Sequence, residues 1–364
     1  MKISQITDYL ESIAPLYLQE DYDNSGLIVG NKNTIVKKAL ICIDSIEETI
    51  NEAIKKKCNL IIAHHPIVFK GFKKLTEKSY IEKTLVKAIK NDIAIYAIHT
   101  NLDNVFNGVN KKICDTIGLT DYRILKPKKH LLSKLVTYAP LKHTTIVRNA
   151  LFKEGAGKIG NYDMCSFNSI GEGTFRASKN SNPYIGRFNE YHTENETKIE
   201  VIVPKYLEQQ IIENLLKVHP YEEVAYELYP ILNSHPKIGS GMIGFLKKET
   251  DIKKFLSALK RKMKIKQIRH TKIIKNKVQK IAVCGGSGSF LLDDAIKNKA
   301  DLFISSDFKY HQFFDANEDI IIADIGHYES EQFTKDLIFD LLIKKFPKFA
   351  FILSETNTNP ISYF

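Results

Sequence analysis

Short apolar runs alternate with amphipathic stretches through the first third of the chain. The pattern predicts three strands, each followed by a helix: strands at 37–44, 59–65 and 93–100, and helices at 45–57, 78–91 and 107–118. Ser45, with Glu48 three residues later, predicts the N-cap of the first helix, and Gly118 predicts the end of the third. Strands separated by helices are typical of a parallel sheet built from right-handed crossovers.

The last third of the chain repeats this alternation. It predicts four strands and three helices: strands at 280–286, 301–306, 319–327 and 349–355, and helices at 289–299, 308–317 and 330–346. The long segment at 330–346 has an amphipathic pattern, and we expect it to form one continuous helix. Both outer thirds are therefore predicted to have α/β structure.

The middle of the chain has a different pattern. Glycine-rich and polar pieces surround three segments that alternate like half-exposed antiparallel strands, at 134–140, 197–204 and 224–231. An α+β domain inserted into an α/β unit explains this change. We therefore predict that residues 1–126 and 236–364 form the two halves of one α/β unit, and that residues 127–235 form the inserted domain.

Composition narrows the class of protein. The chain has 364 residues, of which 43% are hydrophobic and 26% charged, which is enough for two or three domains with real cores. It has no uninterrupted apolar run of membrane-spanning length, and its first residues lack the apolar core of a secretory signal. Five scattered cysteines without a CxxC pair favour free thiols over a disulfide framework, so we expect a cytoplasmic protein.

The formal net charge of +11 is concentrated in one stretch. Residues 259–280 contain ten Lys and Arg residues and no acid. One interpretation is a surface that binds nucleic acid or another polyanion. The other, which we favour, is a solvated helix end followed by an edge strand on which lysines block pairing. No aromatic residue interleaves with these charges, and this argues against binding of single strands.

The residues best suited to metal binding or catalysis stand at the ends of predicted strands. His64 and His65 end the strand at 59–65, Asp103 follows the strand at 93–100, and His327 ends the strand at 319–327, with Glu331 four residues later. Ligands bind at the carboxyl ends of strands in open α/β sheets, so one cleft can collect all these side chains. Residues i and i+4 lie on one helix face, which makes His327 and Glu331 a candidate metal-binding pair.

Three histidines and two carboxylates exceed what one catalytic zinc ion needs. Shared between two divalent ions about 3.5–4 Å apart, with Asp103 and Glu331 as bridges, the set is the right size. The metal is zinc, iron or manganese, since all three accept histidine and carboxylate ligands. The positive charge of two divalent ions exceeds the negative charge of two carboxylates. This positive surplus favours a bound hydroxide and an anionic substrate.

Two further features leave alternatives open. There are three interpretations of His99: it orients a metal ligand, it contacts the substrate, or it is a buried histidine that is hydrogen-bonded to backbone. We do not assign it as a metal ligand. The glycine-rich stretch "CGGSGSF" at 284–290 is either a phosphate cradle or a tight turn, because it lacks the lysine and spacing of a P-loop.

Several motifs together resemble a known family. The stretches "DNSGLIVG", "IIAHHPIVFKGFKKL", "AIYAIHTNLDNVFNGVN", "AVCGGSGSF", "DLFISSDFKYH" and "DIGHYESEQF" are similar to those of the Nif-three-like family, also named the GTP cyclohydrolase 1 type 2 or dinuclear metal centre hexameric family. The stretches "EGTFRASKNSNPYIG" and "VHPYEEVAYELYPI" resemble the PII-like or CutA-like insert of its longer bacterial members. The resemblance covers nearly the whole chain.

The resemblance implies that His64, His65, Asp103, His327 and Glu331 hold two metal ions, and that the chain assembles into a toroidal homohexamer in the cytoplasm. It also implies a metal-dependent hydrolase that acts on a nucleotide or another phosphorylated small molecule. Two alternatives remain: a metal-handling, chaperone-like or regulatory protein without turnover, and a protein that binds DNA or another polyanion through residues 259–280.

Overall fold

The computed structural model describes residues 1–364, which divide into two compact units, Met1–Pro127 with Lys237–Phe364, and Lys128–Pro236. The first part of the chain contributes five helices and five strands: α1 (Ile3–Ile13), β1 (Gly26–Val29), β2 (Ala39–Cys42), α2 (Glu47–Lys56), β3 (Leu60–Ala63), α3 (Tyr80–Lys90), β4 (Ala94–Ala97), α4 (Thr100–Asp103), α5 (Val109–Ile117) and β5 (Leu119–Pro127). The predicted alternation of strand and helix is confirmed here, and Gly118 ends α5 with a left-handed backbone.

The unit Lys128–Pro236 is built on an antiparallel sheet. Its elements are β6 (Leu132–Pro140), α6 (Thr144–Lys153), β7 (Ser166–Arg176), β8 (Tyr191–Pro204), α7 (Glu208–Val218) and β9 (Tyr226–Ile231). The strands lie in the order β7-β8-β6-β9. Leu135 and Ile199 from the sheet pack against Val147 of α6 and Ile211 of α7, so both helices cover one face of the sheet.

The remaining elements complete the larger unit: β10 (Gly239–Asp251), α8 (Ile252–Lys262), β11 (Arg269–His270), β12 (Lys277–Ser287), α9 (Leu292–Lys297), β13 (Leu302–Ser306), β14 (Ile321–Asp324), α10 (His327–Glu331), α11 (Thr334–Lys345) and β15 (Phe351–Leu353). The helix predicted at 330–346 is confirmed over Thr334–Lys345, but it is not continuous, because Gln332 and Phe333 separate α11 from α10. The predicted helix at 308–317 is a 3-10 helix, Tyr310–Ala316.

Two sheets form this larger unit. The first has the order β1-β4-β3-β2-β15, in which β4, β3, β2 and β15 are parallel and β1 is antiparallel at the edge. The second has the order β11-β14-β13-β12-β10-β5, with a parallel centre of β12, β13 and β14. Every residue of β2, β3, β4 and β14 is buried, as expected for strands covered on both faces.

The lysine-rich stretch 259–280 begins in α8, passes through the edge strand β11 and enters β12. Several of its charges are paired: Arg269 with Asp324, Lys272 with Glu318, Lys275 with Asp301 and Lys277 with Glu249. These positions agree with the helix end and edge strand that we favoured. No helix of the chain combines the length and apolarity needed to cross a bilayer.

Candidate metal centre

Five side chains from three places in the sequence meet at one point of the larger unit. His64 and His65 follow β3 directly, Asp103 ends α4, and His327 and Glu331 begin and end α10. The Nε2 atom of His65 lies 2.9 Å from Oε2 of Glu331, and Nε2 of His327 lies 3.1 Å from the same oxygen. The Nε2 atom of His64 lies 3.7 Å from Oδ1 of Asp103 and 3.8 Å from Oε1 of Glu331.

Glu331 stands at the middle of this cluster. Its Oε1 faces His64, and its Oε2 faces His65 and His327. Because adjacent residues of an extended chain point in different directions, the two neighbouring histidines approach different oxygens of one carboxylate. This is the position that a bridging carboxylate needs.

The other ring nitrogen of each histidine is bound on the outer side of the cluster. The contacts are Nδ1 of His64 to the carbonyl oxygen of Ile98 (2.9 Å), Nδ1 of His65 to Oδ1 of Asp44 (2.7 Å), and Nδ1 of His327 to Oδ2 of Asp307 (2.6 Å). A carbonyl oxygen only accepts, so Nδ1 of His64 donates, and in the neutral ring the lone pair of Nε2 points to the centre. A backbone or carboxylate partner on the outer nitrogen is typical of metal-binding histidines.

Two polar atoms at the centre have no hydrogen-bond partner. They are Nε2 of His64 and Oδ1 of Asp103, both buried. A buried polar atom without a partner costs free energy, and a metal ion would remove that cost. The side chains form groups whose ligand atoms lie within 4.8 Å of one another: His64, Asp103 and Glu331; His65, His327 and Glu331; and His64, His65 and His99. The donor set therefore fits a metal ion.

The electrostatics of the cluster favour positive charge at its centre. Burial alone would raise the pKa of Glu331, but the adjacent His327 and hydrogen bonds from the histidines hold it well below its usual value. Burial would lower the pKa of His65 and His327, but their carboxylate partners raise it to about 10 and about 11. Burial raises the pKa of Asp103 to about 6. The carboxylates that raise the pKa of the two histidines would stabilise a metal cation at the centre in the same way as they stabilise a proton.

His99 lies beside the cluster and is held by a carboxylate to which the sequence assigned no specific role. Its ring centre is 5.3 Å from those of His64 and His65, and its Nδ1 lies 2.8 Å from Oδ1 of Asp23. Asp23 also accepts hydrogen bonds from the backbone N–H and the hydroxyl of Thr100, the first residue of α4. The contact with Asp23 fixes the ring of His99 next to the cluster.

The stretch "CGGSGSF" packs against the carboxylate of Glu331. Gly286 has a φ of +61°, and a Cβ atom there would lie 2.4 Å from Oε1 of Glu331. The N–H of Gly285 donates to Oδ1 of Asn110, and the N–H of Gly286 donates to Oγ of Ser330. Both N–H groups are therefore used within the protein, which favours the tight turn over the phosphate cradle.

Asp44 and Asp307 were also missed by sequence reasoning. Asp44 lies two residues beyond β2, and Asp307 directly follows β13. The rule that selected Asp103 and His327, a polar residue at the carboxyl end of a strand, applies equally to them. What the sequence lacked was the partner of each, because the contacts to His65 and His327 join segments about 20 residues apart.

The cluster opens into a cavity of about 590 Å³ within the larger unit. His65, Asp103, His327 and Glu331 contribute to its wall, together with His99. A small molecule that enters the cavity therefore contacts the candidate metal ligands.

Comparison with known proteins gives one consistent result. The family model Duf34/NIF3 (NGG1p interacting factor 3) matches residues 1–360. Proteins named GTP cyclohydrolase 1 type 2 homolog are 35% identical in Halalkalibacterium halodurans, over 100% of both chains, and 35% identical in Bacillus subtilis, over 99% of this chain and 98% of that one. A crystal structure of a Bacillus cereus protein related to NIF3 is 34% identical, with a TM-score of 0.87, and the match covers 100% of this chain and 99% of that one.

Proposed function

The chain belongs to the Duf34/NIF3 family, and we propose that it is a metal-dependent hydrolase with two divalent ions per chain. The observation that carries the proposal is the pair of buried, unpartnered atoms, Nε2 of His64 and Oδ1 of Asp103, beside the shared carboxylate of Glu331. One ion would be held by His64, Asp103 and Glu331. The second would be held by His65, His327 and Glu331, with zinc, iron or manganese as the metal.

A bound divalent ion supplies a nucleophile at neutral pH by lowering the pKa of a water molecule that it holds. The protein's own part is to fix the ligands and to handle protons. Asp44 and Asp307 hold the rings of His65 and His327 so that Nε2 of each faces the centre. His99, fixed by Asp23, is the residue placed to orient the substrate or to accept a proton from it.

The first test is metal content. We expect wild-type protein to carry about two divalent ions per chain, measured by elemental analysis after gel filtration. His65→Ala and Asp103→Ala should each lose this loading, because each removes a ligand. His311→Ala is the matched control, since His311 is exposed and lies outside the ligand groups. Normal loading in both ligand variants would refute the proposed centre.

The second test separates an enzyme from a metal carrier. Metal-loaded protein is screened for hydrolysis of nucleotides, esters and folate-like compounds, with the nucleotides first because of the name given to the relatives. Turnover that is lost in His64→Ala supports the hydrolase. Metal exchange with an acceptor protein in the absence of any turnover supports the metal-handling alternative.

Assembly and location are part of the proposal. The family resemblance supports a homohexamer of 41.6-kDa chains, which native mass spectrometry tests directly. The antiparallel sheet of Lys128–Pro236, with two helices on one face, supports a PII-like or CutA-like character for the inserted unit. Five free cysteines support a reducing, cytoplasmic location.

A further inference from the structure

No Lys or Arg side chain lines the cavity over the metal centre, although the chain contains 53 of them. Its acidic lining consists of five carboxylates: Glu20, Asp44, Asp103, Asp307 and Glu331. The cavity of the inserted unit, about 690 Å³, does include Arg176 and Lys198. The absence of Lys and Arg is therefore a property of the cavity over the metal centre and not of every cavity in the chain.

This count revises the charge expected from the sequence. With Asp103 and Glu331 alone, two divalent ions leave a positive surplus. The structure adds Asp44 and Asp307 to the lining, and these four carboxylates already balance the four positive charges of two divalent ions. A ligand with several negative charges would therefore meet no positive surplus in this cavity.

The two glycine N–H groups beside the cluster do not replace the missing Lys and Arg side chains. Phosphate groups in proteins are held by Arg, by Lys or by free backbone N–H groups. The N–H groups of Gly285 and Gly286, which face the cluster, already donate to Asn110 and Ser330. Neither of these two N–H groups is left to hold a phosphate.

Aromatic side chains are the other feature of this cavity. Tyr22, Phe69, Tyr80 and Phe290 line it, and their exposed fractions run from 49% to 67%. Large exposed aromatic faces in a cavity wall are suited to stacking on a planar ring, and such stacking does not depend on the charge of the ligand.

Resting on the proposed function, the geometry points to a substrate class. It is a planar heteroaromatic molecule, uncharged or with a single negative charge, that stacks on the aromatic wall and presents an oxygen or nitrogen to the ions. Nucleoside polyphosphates are outside this class, because the cavity offers no Lys or Arg for their phosphates and surrounds the two ions with carboxylates.

The test compares ligands that share a ring and differ in charge. Guanosine, adenosine and pterin, and separately GTP as its magnesium complex, are titrated into metal-loaded protein by calorimetry, and metal content is measured afterwards. We expect at least one planar probe to bind, and GTP to bind at least tenfold more weakly than guanosine. GTP binding tenfold tighter than guanosine, or no binding of any planar probe to fully loaded protein, would overturn the inference and leave the metal centre standing. Loss of the ions themselves would instead count against the proposed function.

A variant pair tests the aromatic wall separately. Phe290→Ala should weaken binding of the planar probe about tenfold, since one stacking face is lost. Phe314→Ala is the matched control, because Phe314 is similarly exposed and does not line the cavity. Equal affinity of both variants, with metal content unchanged, would remove the aromatic wall from the argument.

Discussion

Gly286 shows how a single residue without a side chain keeps the shared carboxylate in place. Its φ of +61° already disfavours other residues, and a Cβ atom would lie 2.4 Å from Oε1 of Glu331. We expect Gly286→Ala to displace this carboxylate and to lower metal content by at least half. The measurement is elemental analysis of the purified variant.

The control for this prediction isolates the clash from backbone strain. Gly160 has nearly the same φ, +60°, but a Cβ atom there meets nothing within 4 Å. Gly160→Ala therefore carries a similar conformational cost, about 1 kcal/mol, without touching the metal centre. Equal metal content in the two variants would show that Gly286 has no special part in positioning Glu331.

Asp307 acts on the centre through a histidine. Its carboxylate lies 2.6 Å from Nδ1 of His327 and is exposed enough to be replaced without disturbing the core. Asp307→Asn keeps the size of the side chain and removes its charge, so we expect metal affinity to fall about 10–100-fold. Competition with a chelating dye measures this, and Asp315→Asn, an exposed neighbour outside the cluster, should bind as wild type does.

At the residue scale, the sequence predicted where the candidate ligands would meet but not what orients them. His64, His65 and His327 follow apolar runs, so their position at strand ends can be read directly from the pattern. Asp44 and Asp307 also follow strands, but a lone aspartate at a strand end is common as a turn or cap residue. Their role appears only when the ring nitrogens that they face are known.

At the scale of elements, the capping motif at the start of α2 predicted the wrong N-cap residue. The motif predicted Ser45 as N-cap, but the helix begins at Glu47 and Ile46 is the cap residue. The hydroxyl of Thr49 accepts a hydrogen bond from the N–H of Ile46 (2.9 Å) and so closes the first turn. A shift of one residue moved the reciprocal contact from Glu48 to Thr49, which is buried.

The stability of α2 therefore depends on Thr49. Thr49→Val preserves shape and leaves the N–H of Ile46 without its partner, and we expect a loss of about 1–2 kcal/mol in the free energy of unfolding. Ser45→Ala, at the predicted cap, should cost less than half of that. Urea unfolding followed by circular dichroism compares the two variants. A larger effect at Ser45 would restore the original assignment of the cap.

Two strands beside the inserted unit were not predicted at all. β5 and β10 pair with each other, with Pro127 opposite Gly239, so the chain leaves and re-enters the larger unit through neighbouring strands. Their pairing joins residues more than 100 positions apart in sequence, and local periodicity cannot report such a contact. The parallel strands were predicted because each is a short apolar run buried on both faces, a pattern that is visible in isolation.

At the scale of the whole chain, the last strand, β15, is an edge strand of the sheet that the N-terminal strands form. β15 pairs in parallel with β2, and the segment that follows it is tied to α2 through Glu52. The carboxylate of Glu52 accepts hydrogen bonds from the hydroxyl of Ser354, the N–H of Glu355, and the N–H and hydroxyl of Thr356. Lys56 pairs with the same carboxylate at 2.7 Å. One charged group thus connects α2 to the segment that follows β15.

This connection gives the folded chain a specific dependence on pH. Burial alone would raise the pKa of Glu52, but the hydrogen bonds from Glu355, Lys56 and Ser354 lower it from 4.5 to about 2. Because the folded pKa lies below the unfolded one, the stabilisation is complete above about pH 4.5 and is lost as the pH falls towards 2. We expect Glu52→Gln to lower the free energy of unfolding by about 1–3 kcal/mol at pH 7 and by roughly half as much at pH 3.

Urea unfolding of wild type and Glu52→Gln at both pH values measures this difference. Glu48→Gln is the control, because Glu48 lies on the same helix, is exposed and should give equal, small effects at pH 7 and pH 3. A loss in Glu52→Gln that is the same at both pH values would mean that the shape of the side chain, and not its charge, holds the C-terminal segment. A loss that falls to roughly half at pH 3 identifies the ionised carboxylate as the group that joins the last strand to the first sheet.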